Sequence, residues 1–171
     1  NNFLVLDQKN ILIFGSNGLV LRSSNSGEDW SLIPLPAFDI DFISAAVNSK
    51  GEIFAVGSRF TIIKSSDGGK SFNSISDNLT ANTKEKITLK SVSFAGDEGV
   101  IAGEFGTILA TRDSGESWDV KEISRYTDLN TALALGEGVA VIAGTKGTIR
   151  MGVREENGSF NWVPFNTKDS V

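Results

Sequence analysis

The sequence of 171 residues contains no cysteine and no histidine. These absences exclude disulfide bonds, thiol nucleophiles and histidine general bases, and they remove the usual ligands of zinc and copper. No apolar run approaches the roughly 18 residues that a membrane-spanning helix needs. The chain begins at Asn1 without an initiator methionine or a signal-type apolar segment, which is typical of a processed or excised chain. The sequence therefore predicts no metal site, no cofactor and no membrane insertion.

Basic residues are also in short supply. There are 16 lysines and arginines against 21 acidic residues, and the net charge of −5 is spread along the chain without blocks. A nucleic-acid surface requires a dense basic patch, so nucleic acid is not predicted as a partner. The apolar content of 40% is that of an ordinary globular protein, and the length predicts a single domain.

What the sequence does contain is a repeat. Four segments share an apolar run that ends in glycine, followed by a short turn and a second β-rich run. The shared glycines are Gly15, Gly57, Gly103 and Gly144, which are 42, 46 and 41 residues apart. This spacing falls in the range of roughly 40 to 50 residues that is typical of β-propeller blades.

Each repeat divides into four β-rich runs separated by turn residues. In the third repeat the runs are residues 89–94, 99–102, 107–111 and 118–123. No stretch shows a sustained helical period, so the pattern predicts an all-β protein, a β-propeller of four-stranded antiparallel blades. The four predicted blades are approximately residues 1–35, 36–77, 86–124 and 127–166.

The ends of the chain bear on whether these blades close a ring. The sequence starts on a first-strand run at residues 3–6 and stops soon after a fourth-strand run at residues 162–165. No strand is left over to interlock the first and last blades. Both a closed four-blade ring and part of a larger propeller or assembly fit the pattern, and the second is favoured because an open array exposes apolar blade faces that need cover.

Two eight-residue motifs occupy the predicted turn between the third and fourth runs. Residues 65–72 (Ser-Ser-Asp-Gly-Gly-Lys-Ser-Phe) and 111–118 (Thr-Arg-Asp-Ser-Gly-Glu-Ser-Trp) have the same pattern, and residues 23–30 repeat it with asparagine in place of the aspartate. In the fourth repeat, residues 152–162 keep a tryptophan but have a longer turn without the aspartate. The residues at the defining positions are Asn25, Gly27, Trp30, Asp67, Gly69, Phe72, Asp113, Gly115 and Trp118.

These positions are interpreted as structural. A carboxylate at the head of such a turn is expected to accept hydrogen bonds from the N–H groups that follow it, and the glycine is expected to be left-handed. The aromatic residue is expected to pack into the blade. A carboxylate saturated by donors is a poor acid and a poor metal ligand, so no catalytic residue is predicted here.

The motifs resemble the Asp box of the bacterial neuraminidase repeat, and the chain is identified as similar to the Asp-box β-propellers. That family includes sialidases, sortilin-type receptors, xyloglucan hydrolases and photosystem II stability/assembly factors. The run 106–118 looks most like the last group. The resemblance implies a non-catalytic binding or assembly scaffold with a protein or polysaccharide partner, and it favours an extracytoplasmic location.

Two alternatives remain. A sialidase-like glycoside hydrolase requires an arginine triad, a Tyr–Glu pair and a Phe-x-Arg-Ile-Pro start. The only tyrosine is Tyr126, that start is absent, and the arginines follow the repeat without an evident triad. Another glycosidase needs only two suitably spaced carboxylates, so a glycosidase or a fragment of one stays open. The other alternative is a structural domain of a surface or virion protein.

A binding surface is predicted on the face opposite the Asp boxes. There the turns between second and third strands meet the connections between blades, including residues 34–38 and 77–86. Exposed aromatic residues beside arginines are typical of interface hot spots. The candidate binding residues are Arg59, Phe60, Glu104, Phe105, Arg125, Tyr126 and Lys146. The alternative for the two phenylalanines is that they fold back as caps on the blade edge. A homo-oligomer or further blades of a longer chain are also candidate partners.

Overall fold

The computed structural model describes residues 2–35, 39–79 and 87–165. Residues 36–38 and 80–86, which belong to two of the predicted connections, lie outside the described residues. Blade 1 consists of β1 (Asn2–Val5), β2 (Ile11–Phe14), β3 (Val20–Ser23) and β4 (Ser31–Leu32). Blade 2 consists of β5 (Phe42–Val47), β6 (Ile53–Gly57), β7 (Ile62–Ser65) and β8 (Asn73–Ser74). Blade 3 consists of β9 (Leu89–Ala95), β10 (Glu98–Gly103), β11 (Thr107–Thr111) and β12 (Asp119–Glu122). Blade 4 consists of β13 (Leu129–Gly136), β14 (Val139–Gly144), β15 (Ile149–Arg154) and β16 (Phe160–Pro164).

Each blade is one antiparallel four-stranded sheet whose strands lie in chain order. The helical residues of the described ranges form two 3₁₀ turns, Ser76–Leu79 and Glu104–Gly106, and neither is long enough to cross a membrane. The strands of blade 3 start and end within one residue of the predicted runs. The prediction of an all-β, propeller-like fold built from four-stranded blades is confirmed.

Three apolar cores hold consecutive blades together. Between blades 1 and 2, the ring of Phe14 contacts those of Phe42 and Phe72 edge-on, with centroids 5.9 and 5.7 Å away. The core between blades 2 and 3 contains Phe54 and Trp118, and a third core lies between blades 3 and 4. Alternate residues of one strand serve two cores, because successive side chains of a strand point to opposite faces of the sheet.

The repeated glycines have a steric explanation in the structure. A Cβ on Gly57 would lie 2.1 Å from the carbonyl oxygen of Asp41, and a Cβ on Gly144 would lie 2.0 Å from that of Asp128. Gly103 is similarly crowded, at 2.7 Å from a backbone carbonyl oxygen. Each of these glycines ends the second strand of its blade, where the pairing with the first strand is irregular. The repeat therefore keeps glycine at this place because the two backbones pass too closely for any side chain.

The described residues do not close a ring. Hydrogen bonds, ion pairs and apolar cores join blade 1 to blade 2, blade 2 to blade 3 and blade 3 to blade 4. Within residues 2–35, 39–79 and 87–165, no such contact joins blade 4 to blade 1. Apolar side chains on the outer faces of both end blades are instead exposed, among them Phe3 and Leu133.

Candidate functional site

The Asp box of blade 2 is a hydrogen-bonded turn centred on Asp67. Its Oδ1 accepts hydrogen bonds from the backbone N–H groups of Lys70, at 2.9 Å, and Ser71, at 3.0 Å. Its Oδ2 accepts one from the Ser71 hydroxyl at 2.7 Å. The hydroxyl of Ser65 donates to Asp67 and accepts from the N–H of Gly69, which has a φ of 79°. Both carboxylate oxygens are therefore used inside the turn.

Blade 3 repeats this arrangement around Asp113. The Ser117 N–H donates to Oδ1 at 2.9 Å, and the Ser117 hydroxyl donates to Oδ2. Thr111 bridges Asp113 and the N–H of Gly115, which has a φ of 87°. The indole N–H of Trp118 donates to the carbonyl of Gly115 at 3.2 Å, which ties the aromatic residue to the turn.

In blade 1 an amide replaces the carboxylate. Asn25 Oδ1 still accepts the N–H of Asp29 at 2.9 Å, while its Nδ2 donates to the carboxylate of the same residue. Trp30 donates to the carbonyl of Gly27 at 3.0 Å, but 37% of its surface is exposed. For Trp30 the structure thus differs from the expectation that the box aromatic residue packs into the blade. Phe72 and Trp118 pack against the preceding blade, and no blade precedes Trp30 in the described residues.

The fourth turn is closed by a different side chain. Asn157 Oδ1 accepts hydrogen bonds from the N–H and the hydroxyl of Ser159, both at 2.8 Å. The rings of Phe160 and Trp162 stack beyond it, with centroids 5.5 Å apart. The lost aspartate is thus replaced by an asparagine in the lengthened turn.

The two box carboxylates stay ionised. Burial raises the pKa of Asp113, but hydrogen bonds from Ser117 and Thr111 outweigh it and lower that pKa to about 2. Burial acts in the same direction on Asp67, and hydrogen bonds from Ser71, Ser65 and Lys70 again lower its pKa well below the usual value. The described part of the chain contains no group of three or more acidic residues able to hold a metal ion. The box carboxylates therefore stabilise the turns and are weak candidates for acid catalysis.

The carboxylates should make two of the turns sensitive to acid. The folded-state pKa of Asp113 lies below its usual value of 3.8, so its stabilising effect is complete above about pH 4 and is lost as the pH falls towards 2. We expect the amide proton of Ser117 to lose protection from hydrogen exchange over this interval, and that of Ser71 to lose it at lower pH, because the pKa of Asp67 is lowered further. The amide of Asp29 is held by the neutral side chain of Asn25 and serves as the control. Equal loss of protection at all three amides, after correction for intrinsic exchange, would contradict this explanation.

The opposite face carries the candidate binding residues, and the blade 2 tip differs from expectation. Arg59 and Phe60 both have left-handed backbones, with φ of 57° and 56°. Arg59 is exposed, but Phe60 is only 3% exposed and lies in the core between blades 2 and 3. Its N–H donates to the carbonyl of Ile87 at 2.7 Å. The prediction of an exposed aromatic residue at Phe60 is wrong, and the capping alternative describes it.

The blade 3 tip does present an aromatic residue. Phe105 is 46% exposed and has φ 53° and ψ 36°, a conformation rarely adopted by bulky residues. The connection to blade 4 lies beside it, because the N–H of Ile123 donates to the carbonyl of Gly106 at 3.0 Å. That connection carries Tyr126, which is 84% exposed, and Arg125, which forms an ion pair at 2.9 Å with Glu122, also at the surface.

Asp128 joins this tip to the tip of blade 4. Its Oδ1 accepts the N–H of Phe105 at 3.1 Å, and its Oδ2 lies 3.4 Å from Nζ of Lys90. Its backbone carbonyl accepts the N–H of Thr145 at 2.8 Å, next to the exposed Lys146. The hydrogen bond from Phe105 is the main cause that lowers the pKa of Asp128, with a further contribution from Lys90. Asp128 therefore fixes the backbone of two neighbouring tips.

Five of the seven candidate residues thus lie on the two tips that Asp128 joins or on the connection beside them. We name this group the tip cluster, which consists of Glu104, Phe105, Arg125, Tyr126 and Lys146 together with Asp128. Glu104 also has a local role, since its Oε2 accepts the N–H of Thr88 at 2.9 Å. Arg59 is on the tip of another blade, and no described contact links it to the cluster.

Sequence reasoning missed Asp128, although a signal for it exists. Asp41 occupies the equivalent place, immediately before the first strand of its blade, and its Oδ1 accepts the N–H of the left-handed Asn17 at 3.2 Å. An aspartate that directly precedes the first apolar residue of a blade is therefore a repeated feature of the sequence. In blade 1 the clamped tip residue is a polar asparagine, and in blade 3 it is Phe105.

The antiparallel four-stranded blades and the box turns define this chain as an Asp-box β-propeller protein. The sequence pattern of a family described as photosynthesis system II assembly factor YCF48 matches residues 35–167. The chain belongs to that family, which confirms the resemblance seen in its repeats.

Three relatives are similar to this chain in sequence. The photosystem II stability/assembly factor HCF136 (chloroplastic) of Arabidopsis thaliana is 32% identical over 104 residues, which are 57% of this chain and 25% of that protein. HCF136 of Oryza sativa subsp. japonica is 28% identical over 142 residues, 78% of this chain and 33% of that protein. The photosystem II assembly lipoprotein Ycf48 of Synechococcus sp. (strain CC9902) is 38% identical over 65 residues, 38% of this chain and 19% of that protein. The chain thus spans from about a fifth to a third of the length of these relatives.

Two solved structures share the fold. YCF48 bound to a D1 peptide superimposes with a TM-score of 0.60 at 24% identity, over 71% of this chain and 40% of that chain. An ancestral GH74 enzyme superimposes with a TM-score of 0.72 at 16% identity, over 98% of this chain and 24% of that chain. Likeness at these identities shows the fold alone. The three relatives are named as photosystem II stability or assembly factors, and none of the three is named as an enzyme.

Proposed function

We propose that this chain is a non-catalytic protein-binding module of the photosystem II assembly type, which binds an extended segment of a partner protein on the tip cluster. The observation that carries the proposal is the exposed Phe105, whose strained backbone is held in place by Asp128. Strained residues that the surrounding structure holds in place are concentrated at functional sites. The same clamp holds Asn17 in blade 1, so folding does not require a phenylalanine there.

The chemistry of the cluster indicates the partner segment. Phe105 and Tyr126 offer exposed aromatic surface, and the tip cluster also contains the exposed cations Arg125 and Lys146. A segment with an apolar side chain flanked by carboxylates complements this surface. A D1 peptide is the first probe to use, because the solved YCF48 structure contains one.

Three finer predictions accompany this proposal. An extracytoplasmic location is supported by the names of the relatives, one chloroplastic and one a lipoprotein. A polysaccharide partner and a surface or virion role stay predictions of the sequence without support from the comparisons. A glycosidase is disfavoured, because the likeness to a GH74 enzyme at 16% identity extends to the fold alone.

The sharpest test is Phe105→Asn, which copies the residue that blade 1 uses in the same clamp. Asparagine tolerates the left-handed conformation, so we expect the free energy of unfolding in urea to stay the same or to rise slightly. We expect the affinity for a D1 peptide, measured by calorimetry, to fall at least about tenfold, since truncation of a hot-spot aromatic residue removes about 2 kcal/mol or more.

The matched control is Glu137→Asn. It places asparagine at another left-handed residue, in the β13–β14 turn, which lies on the face of the Asp boxes. We expect this variant to bind the peptide as the parent protein does. Unchanged binding by Phe105→Asn would exclude the tip cluster as the site. No binding of the peptide by the parent protein would overturn the assignment of this partner.

A further inference from the structure

Lys90 is the extra residue of a β-bulge in the first strand of blade 3. The register of β9 against β10 shifts at this point, so Lys90 has no residue opposite it. Bulges of this kind change the direction of a side chain and are frequent beside functional sites. Blades 2 and 4 have the same irregularity, and the unpaired residues there are Ile43 and Asn130. Of these three bulges, only the one in the blade that presents Phe105 carries a charge.

The bulge brings the ammonium of Lys90 to the two carboxylates of the tip cluster. Its Nζ lies 3.4 Å from Oδ2 of Asp128 and 3.8 Å from Oε1 of Glu104, and 23% of the lysine side chain is exposed. Each carboxylate uses its other oxygen to hold backbone. Oδ1 of Asp128 accepts the N–H of Phe105, and Oε2 of Glu104 accepts that of Thr88. Lys90 therefore contacts both of the groups that fix this tip.

The other blades build the same tip without an ion pair. The first tip residue is Ser58 in blade 2 and Thr145 in blade 4. In both cases its hydroxyl accepts the N–H of the aspartate that precedes the first strand, at 2.9 and 3.0 Å. Glu104 occupies this place in blade 3 and accepts the N–H of Thr88 with a carboxylate. A hydroxyl is therefore enough for the turn, and the extra negative charge beside Asp128 is not needed for the fold of a tip.

The negative charges on the two sides of Phe105 need a counter-charge. Glu104 precedes Phe105 in the chain and Asp128 accepts its N–H, so the two carboxylates repel each other across the exposed residue. Among the residues that the structure describes, Lys90 is the only cation that forms an ion pair with either carboxylate. A binding side chain is held accurately only when the groups that hold it are themselves fixed by hydrogen bonds and packing.

We propose that Lys90 is a positioning residue of the partner site. Its ammonium holds Glu104 and Asp128 in place, so that Phe105 keeps its left-handed backbone and presents its ring to the partner. Lys90 acts through the two carboxylates and not by contact with the partner. This role rests on the proposed function of the tip cluster.

The first variant is Lys90→Met, which removes the charge and keeps an unbranched side chain. We expect the amide proton of Phe105 to lose protection from hydrogen exchange, because its acceptor on Asp128 is no longer held. The amide of Asn17 is the internal reference, since Asp41 holds it without an ion pair among the described residues. We expect the affinity for a D1 peptide, measured by calorimetry, to fall about fivefold, since residues that act through their neighbours change a coupling by about two- to thirtyfold. Lys90→Arg keeps the charge and should keep most of the affinity and of the protection.

Lys64→Met is the matched control. Lys64 also lies between a carboxylate of its own blade and one of the next, at 3.0 Å from Glu52 and 2.9 Å from Glu116, but it lies beside the Asp box. We expect Lys64→Met to lose stability in urea as Lys90→Met does. Its affinity for the peptide and its protection at Phe105 should be those of the parent protein.

Unchanged protection of Phe105 in Lys90→Met would overturn the proposal, and so would equal losses of protection at Phe105 and Asn17. An affinity that stays the same while the protection is lost would contradict it as well. Losses in Lys90→Arg as large as those in Lys90→Met would show that the charge is not the cause. Failure of the parent protein to bind the peptide would count against the proposed function, and the exchange of the Phe105 amide would still decide whether Lys90 positions this residue.

Discussion

Replacement of Gly57 by alanine is expected to lower the free energy of unfolding by about 3 kcal/mol. The added Cβ would lie 2.1 Å from the carbonyl oxygen of Asp41, and its three nearest atoms all belong to the backbone of Asp41 and Phe42, which cannot move aside as a side chain can. Urea denaturation followed by tryptophan fluorescence measures the effect. The crowding recurs at Gly144, so Gly144→Ala should be destabilised to a similar extent.

The control for this prediction is Gly147→Ala. Gly147 has a φ of 67° and no atom within 4 Å of the position its Cβ would take, so alanine meets only the strain of the left-handed backbone. We expect a loss of about 1 kcal/mol for that strain. A loss at Gly57 no greater than that at Gly147 would rule out steric crowding as the reason for the repeated glycine.

Asp113→Ala is expected to cost about 1.5 to 3 kcal/mol of stability, because it leaves donors of the turn without their acceptor. The N–H and the hydroxyl of Ser117 and the hydroxyl of Thr111 all donate to this carboxylate. Asp113→Asn should cost less, since Asn25 keeps the main acceptor contact in blade 1. Thermal unfolding of the two variants at neutral pH compares them directly.

Asp119→Ala supplies the matched control, because Asp119 is an exposed aspartate a few residues away. We expect its stability to change by less than about 0.5 kcal/mol. Peptide binding should be unchanged in all three variants, because the box lies on the face opposite the tip cluster. An Asp113→Ala protein that is as stable as its parent but no longer binds would assign the carboxylate to the binding site and not to the turn.

The sequence predicted those features that repeat within a blade. The spacing of the glycines and the alternating apolar runs gave the strands of blade 3 to within one residue, because each strand has buried neighbours of a regular kind. The position of the Asp boxes followed from their turn chemistry. Each of these features depends on residues close together in the chain.

Features that depend on the next blade could not be predicted in the same way. Phe60 lies three residues after the repeated glycine of its blade and Phe105 lies two residues after that of its own, and both have left-handed backbones. The N–H of Phe60 meets the carbonyl of Ile87 and its ring is buried, whereas the N–H of Phe105 meets the carboxylate of Asp128 and its ring is exposed. The two residues thus occupy different positions of the repeat, and each N–H meets a partner 23 or more positions away in the chain, outside the range of a local motif.

The way the box aromatics pack gives the repeat a direction. Phe72 contacts the ring of Phe14 in blade 1, and Trp118 contacts the ring of Phe54 in blade 2, so each box is completed by the blade before it. Loss of the last blade leaves the boxes of blades 2 and 3 intact, whereas loss of the first blade removes the ring of Phe14, against which Phe72 packs. Truncation from the N-terminal side should therefore disturb the boxes more than truncation from the C-terminal side. During synthesis, the ring that supports each box aromatic residue is made before that aromatic residue.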